Sequence, residues 1–600
     1  MMTTPRFLAD PPRHFFFTGK GGVGKTSVAC ATALQLARKG RRVLLVSTDP
    51  ASNVGQVFGI TIGNRVTAVE EVPGLDALEI DPEQAAEAYR HQILDPVRAI
   101  LPMKEIEAIT EQLSGSCTTE VASFNEFTSL LADPAATAPY DHVIFDTAPT
   151  GHTIRLLQLP GDWTGYLDHG KGDTSCLGPM SGLDKSRETY RAAVEALTDA
   201  QRTRLVLVAR PQSSSLAEVE RTRAELGELG IRATHLVVNG VLPPAEAATP
   251  TPPAEPVEVL HEAIRRREQE ALAAMPEGLH RLVLDQVELK AVNMVGLDAL
   301  EQLLAGPAES PTTMPTGQTT EPVETASHPG LRSLVDELEP RGHGLVMTMG
   351  KGGVGKTTIA AAIAVELARR GHDVHLTTTD PAAHLSSTLA GEVEHLRVSA
   401  IDPQQAIDAY RENVMRTKGA SLDEAGRAAL AEDLMSPCTE EIAVFQQFSR
   451  AVNEARQRFV VMDTAPTGHT LLLMDATGSY HRDITRHLDE GQAARMTTPL
   501  MRLQDPGHTT VVIVTLAETT PVLEAKGLAD DLERAGIHPW AWVVNNSLAA
   551  ARPDSALLGR RAASERDQLA TVSTLADRHA VVPALPREPV GPEALAGLTR

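Results

Sequence analysis

The chain has 600 residues and carries 55 Lys and Arg against 78 Asp and Glu, a formal net charge of −23 at pH 7. This acidic balance argues against general nucleic-acid binding and against docking on an anionic membrane surface. Four cysteines are too few for a disulfide scaffold, and no secretory signal or apolar run of the ~20 residues that span a membrane is present, so we expect a cytoplasmic protein with free thiols.

The first predicted elements alternate between strands and helices. A short apolar run ending at Phe17 precedes the glycine-rich stretch GKGGVGKTS, and apolar residues at helical spacing follow it. Further strand-like runs are RRVLLVST, HVIFD, RLVLVA and LVVNG, which ends at Gly240. Strands that alternate with helices favour an α/β fold with a mostly parallel, doubly wound sheet.

The chain then repeats these blocks in the same order. GKGGVGKTT at 350–358 copies the glycine-rich stretch, DTAPTGHT occurs at both 146–153 and 463–470, and PCTEEIAVF echoes SCTTEVASF. We therefore predict two tandem P-loop domains in a pseudo-two-fold arrangement, half one at 1–305 and half two at 331–600. Residues 306–330 are rich in Pro, Thr and Glu and predict a flexible linker.

Both glycine-rich stretches fit the phosphate-binding pattern G-x-x-x-x-G-K-[ST] between a strand and a helix. Glycines let successive backbone N–H groups cradle phosphate oxygens. We expect Lys25 and Lys356 to meet the β and γ phosphates of ATP, and Thr26 and Thr357 to contact Mg²⁺. The predicted nucleotide-binding residues of the loops are Gly19, Lys20, Gly21, Gly22, Val23, Gly24, Lys25, Thr26, Ser27, Gly350, Lys351, Gly352, Gly353, Val354, Gly355, Lys356, Thr357 and Thr358.

Two carboxylates in each half follow predicted strands. Asp49 and Asp380 come after the strand that follows the first helix, at the carboxyl edge of the sheet, where they would orient the attacking water and approach Mg²⁺. Asp146 and Asp463 end later apolar strands and resemble the aspartate that holds Mg²⁺ in P-loop enzymes. The alternative for all four is that each caps the segment that follows it.

A lysine directly follows the first glycine of each loop. Lys20 and Lys351 make the pattern KGGxGK[ST], which resembles the dimeric P-loop ATPases that include nitrogenase iron protein and the partition and cell-division-site ATPases. This resemblance implies that each of these lysines acts catalytically on the nucleotide of the opposite half. A solvated lysine is the alternative. By the same resemblance Asn239 and Asn545 would contact adenine, with a turn asparagine as the alternative.

The complete set of blocks resembles the bacterial arsenical pump-driving ATPases, with DTAPTGHT as the most specific motif. The resemblance implies an ATP- and Mg²⁺-dependent hydrolase that As(III) or Sb(III) activates and that powers efflux through a membrane permease. It also implies a cytoplasmic monomer whose halves form an intramolecular pseudo-dimer at the inner membrane, with a metallochaperone as a further candidate partner. The metalloid ligands that it implies are Cys117, Cys176, Cys438, His152, His469 and Ser436.

The chemistry of the cysteines agrees with this resemblance. Thiolates suit soft trivalent arsenic and antimony. Ser436 and Pro437 predict a helix that begins just before Cys438, where the helix N-terminus lowers the pKa of a thiol, and Cys117 occupies the same place in half one. Cys176 lies in a predicted loop. A small buried hydrophobic residue is the alternative for each cysteine, and we prefer it for Cys30.

Three other functions stay as alternatives. An ATPase that targets tail-anchored membrane proteins would be a homodimer with a CxxC pair and a methionine-rich groove, whereas this chain is duplicated and has no CxxC. A partition or cell-division-site ATPase would need a basic surface or an amphipathic membrane helix. A metalloid buffer that does not hydrolyse ATP would not need two intact sets of Lys, Thr and Asp.

Overall fold

The computed structural model describes residues 5–48, 54–95, 98, 102, 106, 109–110, 113, 116–147, 183–244, 259–305, 328–380, 385–434, 437–465, 498–553 and 555–600. They fall into two compact units, Met1–Glu321 and Pro322–Arg600, which contain half one and half two. The boundary between the units lies inside the predicted linker, most of which, 306–327, falls outside the described residues.

The described part of half one is an α/β unit. Its strands are β1 (His14–Thr18), β2 (Val43–Ser47), β3 (Thr67–Ala68), β4 (Leu75–Glu79), β5 (His142–Asp146), β6 (Thr203–Ala209), β7 (Ala233–Val241) and β8 (Val283–Glu288). Its helices are α1 (Lys25–Arg38), α2 (Val54–Phe58), α3 (Pro82–Leu94), α4 (Ser116–Ala132), α5 (Pro134–Thr137), α6 (Leu183–Thr198), α7 (Ser213–Glu228), α8 (Leu260–Ala273), α9 (Glu277–His280) and α10 (Leu297–Leu303). The strands form one sheet in the order β3-β4-β2-β5-β1-β6-β7-β8, parallel except for β3 with β4.

Half two repeats this architecture. Its strands are β9 (Gly344–Met349), β10 (Val374–Thr378), β11 (Leu396–Val398), β12 (Phe459–Asp463), β13 (Thr509–Leu516), β14 (Pro539–Ser547) and β15 (His579–Pro583). Its helices are α11 (Leu331–Leu338), α12 (Lys356–Arg369), α13 (Leu385–Leu389), α14 (Pro403–Thr417), α15 (Glu424–Asp433), α16 (Pro437–Glu454), α17 (Pro499–Leu503), α18 (Thr519–Arg534), α19 (Leu548–Ala551), α20 (Ala556–Leu575) and α21 (Pro592–Gly597). The described strands pair in the order β11-β10-β12-β9-β13-β14-β15, all parallel, which confirms the predicted fold class in both halves.

Strand β1 shows why the sequence makes a central strand here. All five of its residues are buried, and Phe15 and Phe17 enter one hydrophobic cluster while Phe16 enters the cluster on the opposite face. A strand covered on both faces needs such a continuous apolar run. Strand β1 lies between β5 and β6, so the loop that follows it opens at the carboxyl edge of the sheet, where ligands bind in doubly wound folds.

Gly350 of half two corresponds to Gly19 of half one, an offset of 331 positions. The same offset holds from the glycine-rich loop to the strand that follows the first helix. Cys30 of α1 therefore corresponds to Ala361 of α12, and both side chains are buried among apolar neighbours. Burial raises the pKa of the Cys30 thiol well above its usual range. This environment agrees with the structural role predicted for Cys30.

No helix among the described residues is long and apolar enough to cross a membrane.

Candidate nucleotide-binding and hydrolysis sites

A glycine in the left-handed region closes each phosphate loop. Gly24, with φ of 88°, caps the start of α1, and Gly355, with φ of 93°, caps the start of α12. A Cβ atom on Gly24 would collide with the amide of Asn239, and one on Gly355 with the amide of Asn545. Both the backbone conformation and the close approach of the amide therefore require glycine at this position.

The lysine after each of these glycines is buried inside its own loop. The Lys25 ammonium donates to the carbonyl oxygen of Lys20 at 3.2 Å, and the Lys356 ammonium donates to that of Lys351 at 3.0 Å. The lysines are only 5% and 6% exposed. Each loop thus holds a positive charge among its own backbone groups, where phosphate oxygens bind in P-loop proteins.

The threonine that follows each loop lysine contacts the aspartate that is predicted to hold Mg²⁺. The Thr26 hydroxyl donates to Oδ2 of Asp146 at 2.7 Å, and the Thr357 hydroxyl donates to Oδ2 of Asp463 at the same distance. Strands β5 and β12 bring the aspartates there, because each pairs with the strand that precedes the phosphate loop. The sheet therefore joins residues that are more than 100 positions apart in the sequence.

The Asp463 carboxylate suits a divalent cation. Its side chain is buried, and its Oδ1 atom has no hydrogen-bond partner among the described residues. Burial raises the pKa of Asp463 to about 6, against the opposing effects of Lys356 and Thr357. Carboxylate and hydroxyl oxygens are ligands that Mg²⁺ takes in phosphate sites, and a cation would offset the penalty of burying the charge. The residues present therefore fit Mg²⁺.

The Thr378 hydroxyl links the backbone of Asp380 to the carboxylate of Asp463. The backbone N–H of Asp380 donates to the Thr378 hydroxyl at 3.0 Å, and that hydroxyl lies 3.4 Å from Oδ2 of Asp463. The residue predicted to orient water therefore lies beside the one predicted to hold magnesium. Its counterpart in half one, Asp49, lies outside the described residues.

The two early lysines are placed differently in their halves. Lys351 forms an ion pair with Glu524 of α18, and its side chain is 16% exposed. The Lys20 ammonium has no hydrogen-bond or ion-pair partner within the part of half one that the structure describes. The solvated alternative therefore does not hold for Lys351.

The two strand-end asparagines contact the phosphate loops. The Asn239 amide donates to the carbonyl oxygen of Val23 at 2.9 Å, and the Asn545 amide donates to that of Val354 at 2.9 Å. Each asparagine thus braces a loop, which is a role that the sequence did not suggest. The predicted contact with adenine stays a prediction.

Comparison with known proteins decides which group of P-loop enzymes contains this pair of sites. Residues 12–306, 343–502 and 476–600 match the sequence profile of the anion-transporting ATPases. The chain belongs to the anion-transporting ATPase family. It is 58% identical to the arsenical pump-driving ATPase of Acidiphilium multivorum over 591 residues, 98% of this chain and 99% of that protein.

Two further relatives show how far the similarity extends. An arsenical pump-driving ATPase of Escherichia coli is 57% identical over 592 residues, 98% of this chain and 99% of that protein. The ATPase GET3 of Debaryomyces hansenii is 33% identical over 259 residues, only 39% of this chain and 74% of that protein. The predicted resemblance and the predicted ATP-hydrolysing activity are confirmed.

Two buried glutamates of this ATPase were not predicted from the sequence. Glu565 accepts hydrogen bonds from the Ser547 hydroxyl and from the backbone N–H groups of Leu548 and Ala549, at 2.8 to 3.0 Å. Glu268 accepts one from the N–H of Leu242 at 2.8 Å. Each glutamate thus fixes the backbone directly after the strand that carries Asn239 or Asn545. No motif surrounds either glutamate, so only their equivalent places in the two halves could have pointed to them.

The predicted metalloid residues are only partly placed. Cys117 and Cys438 are each the second residue of a helix, α4 and α16, which confirms the predicted helix N-terminus for both. The side chains of these cysteines lie outside the described residues, as do Cys176, His152, His469 and Ser436. Among the side chains that are described, no group of three or more His, Cys, Asp or Glu could hold a metal ion.

Proposed function

We propose that this ATPase binds trivalent arsenic or antimony and couples ATP hydrolysis to metalloid extrusion through a membrane permease. Similarity to arsenical pump-driving ATPases over 98% of the chain carries the proposal, since it includes both halves and all the motif blocks. The proposed metalloid ligands are Cys117, Cys176, Cys438, His152, His469 and Ser436.

The positions of two cysteines support this proposal. Cys117 and Cys438 lie at the same place in equivalent helices, the second residue. Backbone N–H groups at a helix N-terminus favour the thiolate form, which is the form that binds a soft metalloid. A pseudo-two-fold docking of the halves would let one metalloid bridge these two thiolates.

Each half supplies the groups that ATP hydrolysis needs. Lys25 and Lys356 would bind the β and γ phosphates, with the charge already placed inside the loop. Thr26 with Asp146, and Thr357 with Asp463, would hold Mg²⁺, which would neutralise charge on the phosphates. Asp380, and Asp49 in half one, would orient the water that attacks the γ phosphorus as the bond to the leaving ADP breaks. Lys20 and Lys351 would stabilise the charge that develops on the opposite nucleotide.

One short segment offers a physical link between the nucleotide and the metalloid. DTAPTGHT begins at the magnesium aspartate and ends just after His152 in half one and just after His469 in half two. Movement of this segment on hydrolysis would therefore change both sites. Because such coupling is reciprocal, ATP should tighten metalloid binding by the factor by which the metalloid tightens ATP binding.

The proposal includes partners that the chain itself does not contain. ATP-driven extrusion needs a membrane protein through which the metalloid passes, so we propose a permease as the partner and the cytoplasmic face of the inner membrane as the site of action. A metallochaperone that delivers the metalloid is a further proposed partner. The protein itself would be a monomer, because its two halves already supply both members of the pseudo-dimer.

Hydrolysis of ATP by the reduced protein, with and without antimonite or arsenite, tests the proposal. We expect a several-fold stimulation that is lost when Cys117 and Cys438 are both replaced by Ser, while basal hydrolysis stays. Cys30→Ala is the matched control, because Ala361 already fills the equivalent buried place in half two. An equal loss of basal and stimulated rates in the double variant would contradict the proposal. Hydrolysis indifferent to metalloid would instead favour a protein-targeting function.

A further inference from the structure

The ion pair between Lys351 and Glu524 removes Lys351 from solvent. The two side chains are 16% and 6% exposed. Glu524 lies on the first half of α18, the helix that follows β13, and Lys351 lies in the phosphate loop after β9, the strand that pairs with β13. The pair is therefore built within half two and joins the loop to a neighbouring helix of the same half.

The equivalent glutamate of half one has a different cation. Helices α7 and α18 align through Leu226 with Leu532 and through the following Gly230 with Gly536, so that Glu218 corresponds to Glu524. Glu218 is also buried, with 6% of its side chain exposed, and it accepts a hydrogen bond from Arg221 at 2.7 Å. Lys20 has no side-chain partner in the part of half one that the structure describes.

A single position of the helix accounts for this difference. Arg221 lies three residues after Glu218, the spacing at which helical side chains meet. Half two has Gly527 at the corresponding position, so α18 offers no arginine at that spacing. A buried carboxylate without a cation is strongly disfavoured. Lys351 therefore supplies the charge that Arg221 supplies in half one.

We propose that Glu524 is a positioning residue that retains Lys351 in half two, and that Arg221 frees Lys20 from the same restraint, so that the two ATP sites work at unequal rates. This inference rests on the proposed role of both lysines at a nucleotide. Lys351 must leave Glu524 before it can contact a phosphate, and its departure breaks the ion pair of a buried carboxylate. The step that uses Lys351 is therefore slower than the step that uses Lys20.

Amine labelling of the full-length protein tests the restraint directly. A short pulse of acetic anhydride, followed by peptide mass spectrometry, reports how reactive each lysine is. We expect Lys351 to react more slowly than Lys20 in the parent protein, and to approach the Lys20 rate in Glu524→Gln and in Gly527→Arg. Arg221→Gly should slow labelling of Lys20, because Glu218 then loses its arginine contact and attracts the lysine instead. Equal rates in the parent protein, or rates that these variants leave unchanged, would overturn the proposal.

Basal Mg²⁺-ATP hydrolysis, without metalloid, tests the consequence for rate. In a Lys20→Met background we expect Glu524→Gln and Gly527→Arg to raise kcat on the order of tenfold, the effect of one charge-assisted hydrogen bond. The same substitutions should give no gain when Lys351 is also Met, which separates release of Lys351 from a general structural effect. A gain that persists without Lys351, or no gain with it, would overturn the proposal.

Gly527→Arg is the sharper of the two variants. Gly527 is exposed, a side chain there would meet no atom within 4 Å, and arginine favours a helix more than glycine does. Because no metalloid is present in these assays, a failure of metalloid stimulation leaves their outcome unaffected. The two proposals can therefore fail independently.

Discussion

The Thr357 hydroxyl and the Asp463 carboxylate lie 2.7 Å apart at the end of a buried strand, with the second carboxylate oxygen of Asp463 unpaired among the described residues. A buried charge in this setting is costly without a cation, and burial raises the pKa of Asp463 for the same reason. The ionised Asp463 carboxylate thus lowers the stability of the nucleotide-free protein. This relationship predicts opposite effects of one substitution on stability and on activity.

Asp463→Asn should lower Mg²⁺-dependent ATP hydrolysis in half two on the order of a hundredfold, because it removes the charge that would hold the metal. The same variant should keep or raise the thermal stability of the nucleotide-free protein, because it removes a buried charge. The activity is measured as a Mg²⁺ titration in an Asp146→Asn background, which silences half one, and the stability by calorimetry of the single variant. A marked fall in the melting temperature would show that the carboxylate stabilises the fold instead.

Asn545→Ala should separate two roles of the strand-end asparagine. Loss of the hydrogen bond to the Val354 carbonyl should weaken ATP and GTP binding alike by up to about tenfold, the value of one hydrogen bond. The proposed adenine contact should add a further loss for ATP alone. Fluorescence titration of both nucleotides measures the ratio. Equal losses for ATP and GTP would leave Asn545 with the bracing role only.

Gly24→Ala should abolish nucleotide binding in half one, because the new Cβ atom collides with the Asn239 amide and needs a positive φ. Gly40→Ala is the matched control, since Gly40 has a φ of 80° but a Cβ atom there would meet no atom within 4 Å. The control should lose only about 1 kcal/mol of unfolding free energy, the cost of the left-handed conformation. ATP titration and chemical denaturation of both variants check this. A Gly24→Ala protein that binds ATP normally would show that the loop can move away from Asn239.

The contact of each loop threonine with a strand-end aspartate could be expected from the sequence because its signals are local. The loop GKGGVGKT fixes its own conformation, and apolar runs that end on Asp146 and Asp463 place carboxylates at the sheet edge. The duplication strengthened each prediction, because two copies in the same order identify the same chemistry twice. Cys117 and Cys438 could be placed at helix starts for the same reason, namely that helix caps are short-range features.

The contacts that the sequence did not reveal are those between distant segments without a motif. Glu565 reaches residues 547–549 from a helix that only the fold brings near them. The contrast between Arg221 and Gly527 is visible in the sequence, but its meaning depends on the packing of α18 against a loop 173 residues away. Pairing between remote helices follows from tertiary packing, so a sequence pattern alone could not assign Glu524 to Lys351.

Acid should destabilise half one through His14, whose counterpart in half two is Leu345. Burial lowers the pKa of His14 from 6.5 to about 4, with Arg13 and Arg202 adding to the effect. Below pH 6.5 the unfolded chain therefore binds a proton that the folded chain does not take up until about pH 4. The free energy of unfolding therefore decreases as the pH falls from 6.5 to about 4, by about 3 kcal/mol over the whole range. Above pH 6.5 His14 does not affect it.

His14→Leu installs the residue that half two already has at this place and should remove that loss. Thermal unfolding of the full chain at pH 7.5 and pH 5 measures the effect, with hydrogen exchange of the β1 and β5 amides to locate it in half one. Since burial also lowers the pKa of His235 to about 4, the variant should keep part of its acid sensitivity. The difference between the two pH values should shrink in His14→Leu but not in a Leu345→Ile control. An unchanged difference would mean that His14 is already protonated, or accessible to protons, in the folded protein.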